Sequence, residues 1–577
     1  MRALHGILKA LDSRRNFKLE AGAGAGKTHS LIDTLQHILK NRLRYLPRDG
    51  QRVACVTYTN VARNEIIRRT DASPHVFAGT IHGFLWEIIA TFRKSVLQEI
   101  PTLRGWDRVL DGRTSLQGCS VNYDLGFRGI DGNKVHLAHE DVPALAARLF
   151  ASQKFRSLTA DRFPIIFVDE YQDTPSGLAE AMLGNLSATP TESTYGFFGD
   201  HWQQIYDRTC GSIDHLPVVP IEKRANWRSG AAVVSLLNGM RPELPQAPVS
   251  GAEYGSVTVY HTNNWIGPRG THSSKGQLPD EALKKTLRWV INDAQKQHWD
   301  EASVPPKILM LTHSSIAREL GFGSIDRTFK YNDDYVRKSD EVVAFLLDVL
   351  EPCCDYFGSK QYGLMFDLLK RSRPRMMRRA DKIGWTDLFD RINVARNAGT
   401  VGDVLDIVLE QTYFAPPRTV VGRQRKWELA QGELEHGQEL SEPRRLVEYG
   451  KFRNVNYREV VALREYVQES TPFSTQHGVK GEEYPSVVAV FGGWSRYNFP
   501  MMLADFPSSA TFTDDDRKRF ERSRNLFYVA CSRARKNLVL LFTTELSDGA
   551  IQTLEHWIGH SRITGVCYSP EGDPVSP

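Results

Sequence analysis

The segment Leu19-Glu20-Ala21-Gly22-Ala23-Gly24-Ala25-Gly26-Lys27-Thr28 constrains this chain more than any other. Small side chains at every position from Ala21 to Gly26 let backbone N–H groups converge on phosphate oxygens. Lys27 then neutralises charge at the β/γ end, and the Thr28 hydroxyl offers a ligand to Mg2+. An apolar approach precedes the loop, and the amphipathic run from Ser30 to Leu39 reads as the helix that it opens. Alanine stands at 21 where a strict G-x-x-x-x-G-K-[ST] pattern has glycine.

A phosphate loop needs a second, acidic site. The run Phe163-Pro164-Ile165-Ile166-Phe167-Val168 reads as a buried strand and ends in Asp169-Glu170. Asp169 would hold the Mg2+ shell, and Glu170 would orient or deprotonate the attacking water. The 577 residues are 41% hydrophobic, enough for several buried cores, which excludes a disordered or fibrous chain. Lys plus Arg exceeds Asp plus Glu by 73 to 68, a bias compatible with nucleic acid but too mild to require it. No stretch approaches the roughly 18 apolar residues of a membrane span, and Met1 to Ala10 carries no apolar leader core. Seven cysteines with no C-x-x-C pair read as reduced thiols of a cytoplasmic protein.

After Glu170 comes Tyr171-Gln172-Asp173-Thr174, and here the chain resembles the UvrD/Rep/PcrA family of superfamily 1 helicases, whose Walker B reads DE-x-QD. Ala21 to Thr28 is similar to that family's AGAGSGKT. Val56 to Glu65 resembles its T-x-TN-x-A-x-x-E segment, and Gly79-Thr80-Ile81-His82-Gly83-Phe84 its T-x-H-x-F segment. Gly199 to Tyr206 resembles GD-x-x-Q-x-IY, and Asn226-Trp227-Arg228-Ser229 resembles NYRS. Thr475 to Tyr484 is similar to T-x-H-x-x-KG-x-E, and Arg524 to Ala534 to RRL-x-YVA-x-TRA. All stand in family order between Ala21 and Ala534.

The resemblance implies two RecA-like P-loop lobes, an α/β fold with parallel sheets, each lobe carrying a small inserted subdomain. It implies ATP and Mg2+ as cofactors. Lys27, Glu170, Gln203, Arg228 and Arg533 would be the catalytic groups; Ala21, Gly22, Ala23, Gly24, Ala25, Gly26, Lys27, Thr28, Trp227 and Glu483 would bind ATP; Thr28 and Asp169 would hold the metal. Trp227 would stack on the base, Glu483 would meet the ribose, and Gln203 would link the γ-phosphate to DNA. Tyr58, Thr59, Asn60, His82, Phe84 and His477 would lie along a single strand. Tyr58 also fits a core aromatic on the strand from Val53, and Phe84 also fits an apolar helix stripe with Ile88 and Ile89. Two family features are missing: Met1 to Lys18 has no glutamine to read adenine, and Asp207-Arg208-Thr209-Cys210 stands where Trp-Arg-Gly would follow Tyr206. Trp202 is too differently placed to take that tryptophan's role.

The P-loop strand, Val53 to Val56, Ile165 to Val168, Gly196 to Phe198 and Ser256 to Tyr260 alternate with helical runs and predict a parallel sheet. A second sheet reads from Lys307 to Leu311, Ser486 to Phe491 and Asn537 to Phe542. The expected division is a first lobe over 1–93 and 157–255 interrupted by 94–156, then a second over 256–351 and 453–547 interrupted by a mainly helical 352–452. From 548 the chain reads as a helix and a loose tail. The basic run Lys370 to Arg379 fits either a duplex-contacting patch or a solvated face. His272-Ser273-Ser274-Lys275-Gly276 repeats the H-x-x-KG spacing without the following Glu and reads as a solvated loop. No nuclease motif or zinc cluster stands out.

The function implied by the resemblance is an ATP-dependent DNA helicase moving 3′ to 5′ on single-stranded DNA and acting at single-strand/duplex junctions. The alternative is a DNA-sensing UvrD-like regulatory ATPase working with a nuclease subunit, because the small insertions resemble the helicase-like subunit of Gabija-type antiphage systems. A P-loop ATPase unrelated to nucleic acid would leave Thr475 to Glu483 and Arg524 to Ala534 unexplained.

Overall fold

Short runs of β-branched and aromatic residues, apolar on both faces, can be buried only between two layers of helix, and that is what they build here. The computed structural model describes residues 2–113, 115–183, 192–271, 276–299, 305–369, 378–435 and 444–575. The first sheet has six parallel strands in the order Val76–Thr80, Val53–Thr57, Ile165–Asp169, Thr194–Gly199, Phe17–Ala21, Val219–Lys223. The second has six in the order Phe473–Thr475, Lys307–Met310, Tyr484–Phe491, Ala534–Phe542, Ser256–His261, Ile563–Gly565, again all parallel. Counted along the chain within each sheet, both orders are 3-2-4-5-1-6. These are the two RecA-like lobes of the expected α/β fold, and all the cysteines are free thiols.

Alternation along the strands feeds two cores per sheet. Ala54, Val56, Ile166 and Val168 face one cluster, and Val53, Cys55, Ile165 and Phe167 face the other. The first insertion is not a body of its own: Trp106, Val135, Val142 and Leu145 pack in the same cluster as Phe84 and Val168. The helical insertion likewise shares a core with the second sheet, where Trp385, Leu405 and Phe452 join Val488 and Val539.

Several expected boundaries move. Ser256–His261 belongs to the second sheet, between Ala534–Phe542 and Ile563–Gly565, and not to the first. Helix Ala231–Met240, expected in the first lobe, buries Val233, Leu236 and Leu237 against Val257 and Leu538 of the second, so the chain first crosses between lobes before Ala231 and not at 255. The boundary expected at 351/352 falls within a helical run, Glu341–Phe345, Leu346–Leu350 and Glu351–Gly358, whose middle section is a π-turn. The C-terminal end is not loose: after helix Asp548–Ile558, Ile563–Gly565 adds the edge strand of the second sheet, and Cys567–Tyr568 pairs with Pro574–Val575. Most of the basic run, 370–377, and 272–275 of the H-x-x-KG repeat lie outside the described residues.

Candidate active site

Strand Phe17–Ala21 delivers its loop onto helix Lys27–Lys40 through two left-handed residues, Gly24 at φ 75° and Gly26 at φ 76°. At Gly24 any Cβ would also stand 2.7 Å from the Asn226 side-chain oxygen and 2.8 Å from Arg228 Cβ, so glycine is required there twice over. The Lys27 side chain is folded inward toward the Ala21 carbonyl. Neighbours from both lobes close the loop: Asn226 Nδ2 donates to Ala23 O at 3.0 Å, and the Ala23 N–H donates to the Tyr528 hydroxyl at 3.1 Å.

Strand Ile165–Asp169 ends with Asp169 buried beside Lys27 and Thr28. Burial and the adjacent Glu170 carboxylate push the Asp169 carboxyl up to about 7. A hydroxyl and a buried carboxylate facing the P-loop form the hard-oxygen donor set that Mg2+ takes, and a cation there would restore Asp169 to its ionised form. Glu170 itself sits at φ 50°, a costly conformation for a non-glycine residue. Burial alone would raise Glu170, but Lys27, Lys480 and a hydrogen bond from Gln172 outweigh it and hold the carboxyl ionised. That hydrogen bond starts a relay. Gln172 Nε2 donates to Glu170 at 2.6 Å, and Gln172 Oε1 accepts the Asp200 N–H at 3.0 Å. Gln203 Nε2 donates to Asp200 at 2.8 Å, and Arg533 donates to Gln203 Oε1 at 3.4 Å.

Arg533 is fully buried among the Val529 and Glu482 carbonyls and the Ser532 hydroxyl. Burial first, then the like charge of Arg228, pulls it down to about 9. A buried guanidinium with no carboxylate in ion-pair contact among the described residues is prepared for an incoming anion. Arg228 Nε instead donates to Glu483 at 2.8 Å, so the residue expected on the ribose is engaged with one of the expected catalytic arginines. The Trp227 side chain is exposed, the residue being 67% accessible, and its backbone N–H donates to Gly24 O.

Across the same cleft, Tyr58 is 42% exposed and stacks on Tyr206 at 5.6 Å between centroids, so its ring lies outside the core. Lys480 lies 5.4 Å over the Tyr206 ring and pairs with Asp173 at 2.6 Å. Thr59 caps helix Asn60–Arg69 by accepting the Ala62 N–H, and Asn60 opens that helix exposed. His82 stands at the start of helix Ile81–Ile89, edge-on to His139. His477 hydrogen-bonds the Tyr497 hydroxyl at 2.8 Å; burial and nearby Arg496 push it down to about 4. Phe84 contradicts its expected role: it is 0% exposed, wedged between Phe77 and Phe163, because the apolar stripe of its helix faces the core. One cavity of about 840 Å3 is lined by Lys27, Glu170 and Arg533 together with Tyr58, Tyr206 and His477.

The sequence reading left several contributors without a role. Tyr206, Lys480 and Asp173 stand inside the motif segments, and an unassigned aromatic, cation and acid within those segments were the signal. Gln246 donates to Ala23 O and accepts from Asn226, so the glutamine on the P-loop comes from downstream. Trp202 is buried with Arg524 3.9 Å over its ring. The matching strand orders expose one more set: Thr59 follows strand two and Thr80 ends strand three of the first sheet, and Thr312 and Thr475 stand at the same places in the second. Each accepts a backbone N–H three residues on.

A double-lobed α/β molecule with this phosphate loop, acid pair and two converging arginines has the architecture of a UvrD-like helicase. Family comparison agrees: residues 6–209 match an AAA domain, and residues 437–545 match the UvrD-like helicase C-terminal domain. Over its length the chain is similar to Gabija protein GajB of Bacillus cereus (strain HuB5-5), with 22% identity covering 95% of this chain and 96% of that protein. Among the described residues no helix is long and apolar enough to cross a membrane.

Proposed function

We propose that the chain is an ATP-driven motor that translocates 3′ to 5′ on single-stranded DNA and unwinds duplex at single-strand/duplex junctions. The observation that carries this reading is the shared cavity, in which phosphate-binding residues and the Tyr58–Tyr206 stack are two ends of one space. Phosphoryl transfer to water needs positioning and charge neutralisation more than covalent chemistry. The P-loop amides and Lys27 hold the β- and γ-phosphates. Thr28 and Asp169 would hold Mg2+, which supplies Lewis-acid neutralisation of the phosphate oxygens. Glu170, held ionised by Lys27 and Lys480, orients and deprotonates the attacking water. Arg533 would act from its buried position; Arg228 must leave Glu483 to reach the γ-phosphate, which frees Glu483 for the ribose. Because Arg533 touches Gln203 and Lys480 donates to the Gln203 carbonyl, arrival or loss of the γ-phosphate is felt beside Tyr206.

The test measures ATP hydrolysis with no nucleic acid, a single strand, blunt duplex and 3′-tailed duplex, following strand separation in the same samples. Stimulation with separation on the 3′-tailed substrate is expected, and a Glu170→Gln protein should bind ATP and strand without turning over. Equal turnover with and without strand would overturn the coupling. A second reading is supported by the similarity to Gabija protein GajB: a DNA-sensing regulatory ATPase acting with a partner nuclease in antiphage defence. Stimulation without separation, together with a co-purifying nuclease chain, would favour it.

A further inference from the structure

The residues expected along the strand include His82, and a run of aromatic contacts leads on from it. His82 meets His139 of the first insertion edge-on at 5.7 Å, His139 meets Tyr123 at 5.5 Å, and Tyr123 tilts onto Trp86 at 5.7 Å. Against His139 lies Gly126, in the left-handed region at φ 71°, where any Cβ would come within 3.2 Å of the imidazole. The next residue, Phe127, is 58% exposed at the tip of the turn between strands Ser120–Gly126 and Gly129–Asp131. Exposing a phenyl ring on a turn costs hydrophobic free energy that a serine or asparagine there would avoid.

This turn is held firmly. Arg128, the residue after Phe127, grips the buried Asp141 carboxylate through Nε at 3.0 Å and Nη2 at 2.8 Å, and Asp141 also accepts the Ala138 N–H. Helix Asp107–Leu110 packs beside strand Gly129–Asp131, and Gly105 lies against the Arg128 guanidinium. On this flank Arg104 and Arg108 are exposed with no acidic partner recorded among the described residues. An anchored, exposed ring one residue on from Gly126, which lies against His139, with free guanidinium groups on the same insertion, is the combination that grips unpaired bases: a π-face for stacking and cations for the backbone.

We infer that Phe127 is a second nucleobase-stacking residue, which holds an unpaired base of the same strand beyond His82 and extends the footprint from the first lobe onto its insertion. This rests on the reading that the cleft grips single-stranded nucleic acid. The test uses the full chain and oligodeoxythymidylates carrying one 2-aminopurine at successive positions, whose fluorescence is quenched by stacking. The unsubstituted protein should quench at two separated positions, one lost in Tyr58→Ala and the other in Phe127→Ala. Phe127→Ala should weaken strand affinity about five- to a hundredfold, the range a single lost base stack produces. Phe127→Trp should restore quenching and affinity, and ATP turnover without strand should be unchanged in both.

If Phe127→Ala leaves quenching and affinity intact while Tyr58→Ala reduces them, the Phe127 role is wrong and the cleft reading stands. If Phe127→Ala instead abolishes self-association or capture of a protein partner with strand binding intact, the ring is a protein contact and the inference falls. If no oligonucleotide binds the unsubstituted protein, both fall.

Discussion

Tyr58 and Phe84 sit in neighbouring strand-contact segments and the structure gives them opposite fates, so their alanine variants should behave oppositely. Tyr58→Ala should weaken single-strand binding by about 1–3 kcal/mol with little change in unfolding, since the ring is half exposed on Tyr206. Phe84→Ala should lower stability by about 3–5 kcal/mol while the folded fraction binds strand normally; titration calorimetry beside a denaturant melt separates the two. Motif matching could not tell them apart, because T-x-H-x-F and an i, i+4 apolar stripe coincide at Phe84. The phosphate-site residues were legible because their chemistry is carried by contiguous letters. The Arg228–Glu483 pair was not, since it joins positions far apart in the chain and exists only once the lobes meet. His477 gives a pH prediction. Unfolded, it takes a proton near 6.5; folded, burial and Arg496 delay that to about 4. Stability should therefore hold above about 6.5 and fall as pH drops from there toward 4, and His477→Gln should reduce that slope in thermal melts. Some slope should remain, because burial also lowers His82 and His313.

At the scale of elements, the central apolar strands of both sheets were readable, with Ser256–His261 placed in the other sheet, whereas Val76–Thr80, Val219–Lys223 and the insertion strands Ser120–Gly126 and Lys134–Ala138, which carry polar residues or lie partly exposed, were not. What escaped was decided by packing. Helix Ala231–Met240 has no letter that assigns it to one lobe, and its place follows from which sheet offers Val257 and Leu538 to cover it. The three-residue strand Ile563–Gly565 is too short to carry a pattern, yet it completes the second sheet and leads into the fully buried Val566. Ending the chain after Gly559 should remove that edge, cost the second lobe roughly 2–4 kcal/mol, and uncover Ser256–His261 as a strand edge prone to self-association. Denaturant titration and light scattering check both; an unchanged midpoint would mean that the strand is dispensable.

At the scale of the molecule, two lobes of one strand order face each other, and Lys480 of the second lies buried on Asp173 and the Gln203 carbonyl of the first. Lys480→Met leaves the Asp173 carboxyl without its cation at the lobe interface. The variant should open the cleft, read as a larger radius of gyration in X-ray scattering and a raised KM for ATP, and an ATP analogue should close it again. Between the lobes the chain has almost no slack. Asn226 is tied to Ala23 of the phosphate loop, while Ser229 and Gly230 are tied to Ala534 and Arg535 of the other lobe. At this first crossing Trp227 and Arg228 span the gap, and the chain touches the phosphate loop again at Gln246 and pairs Ala247–Pro248 with Ala225–Asn226 before it leaves for good. A pull that separates the lobes therefore loads connections anchored on the phosphate loop itself, so resistance met by a strand under load reaches the fuel site along the backbone.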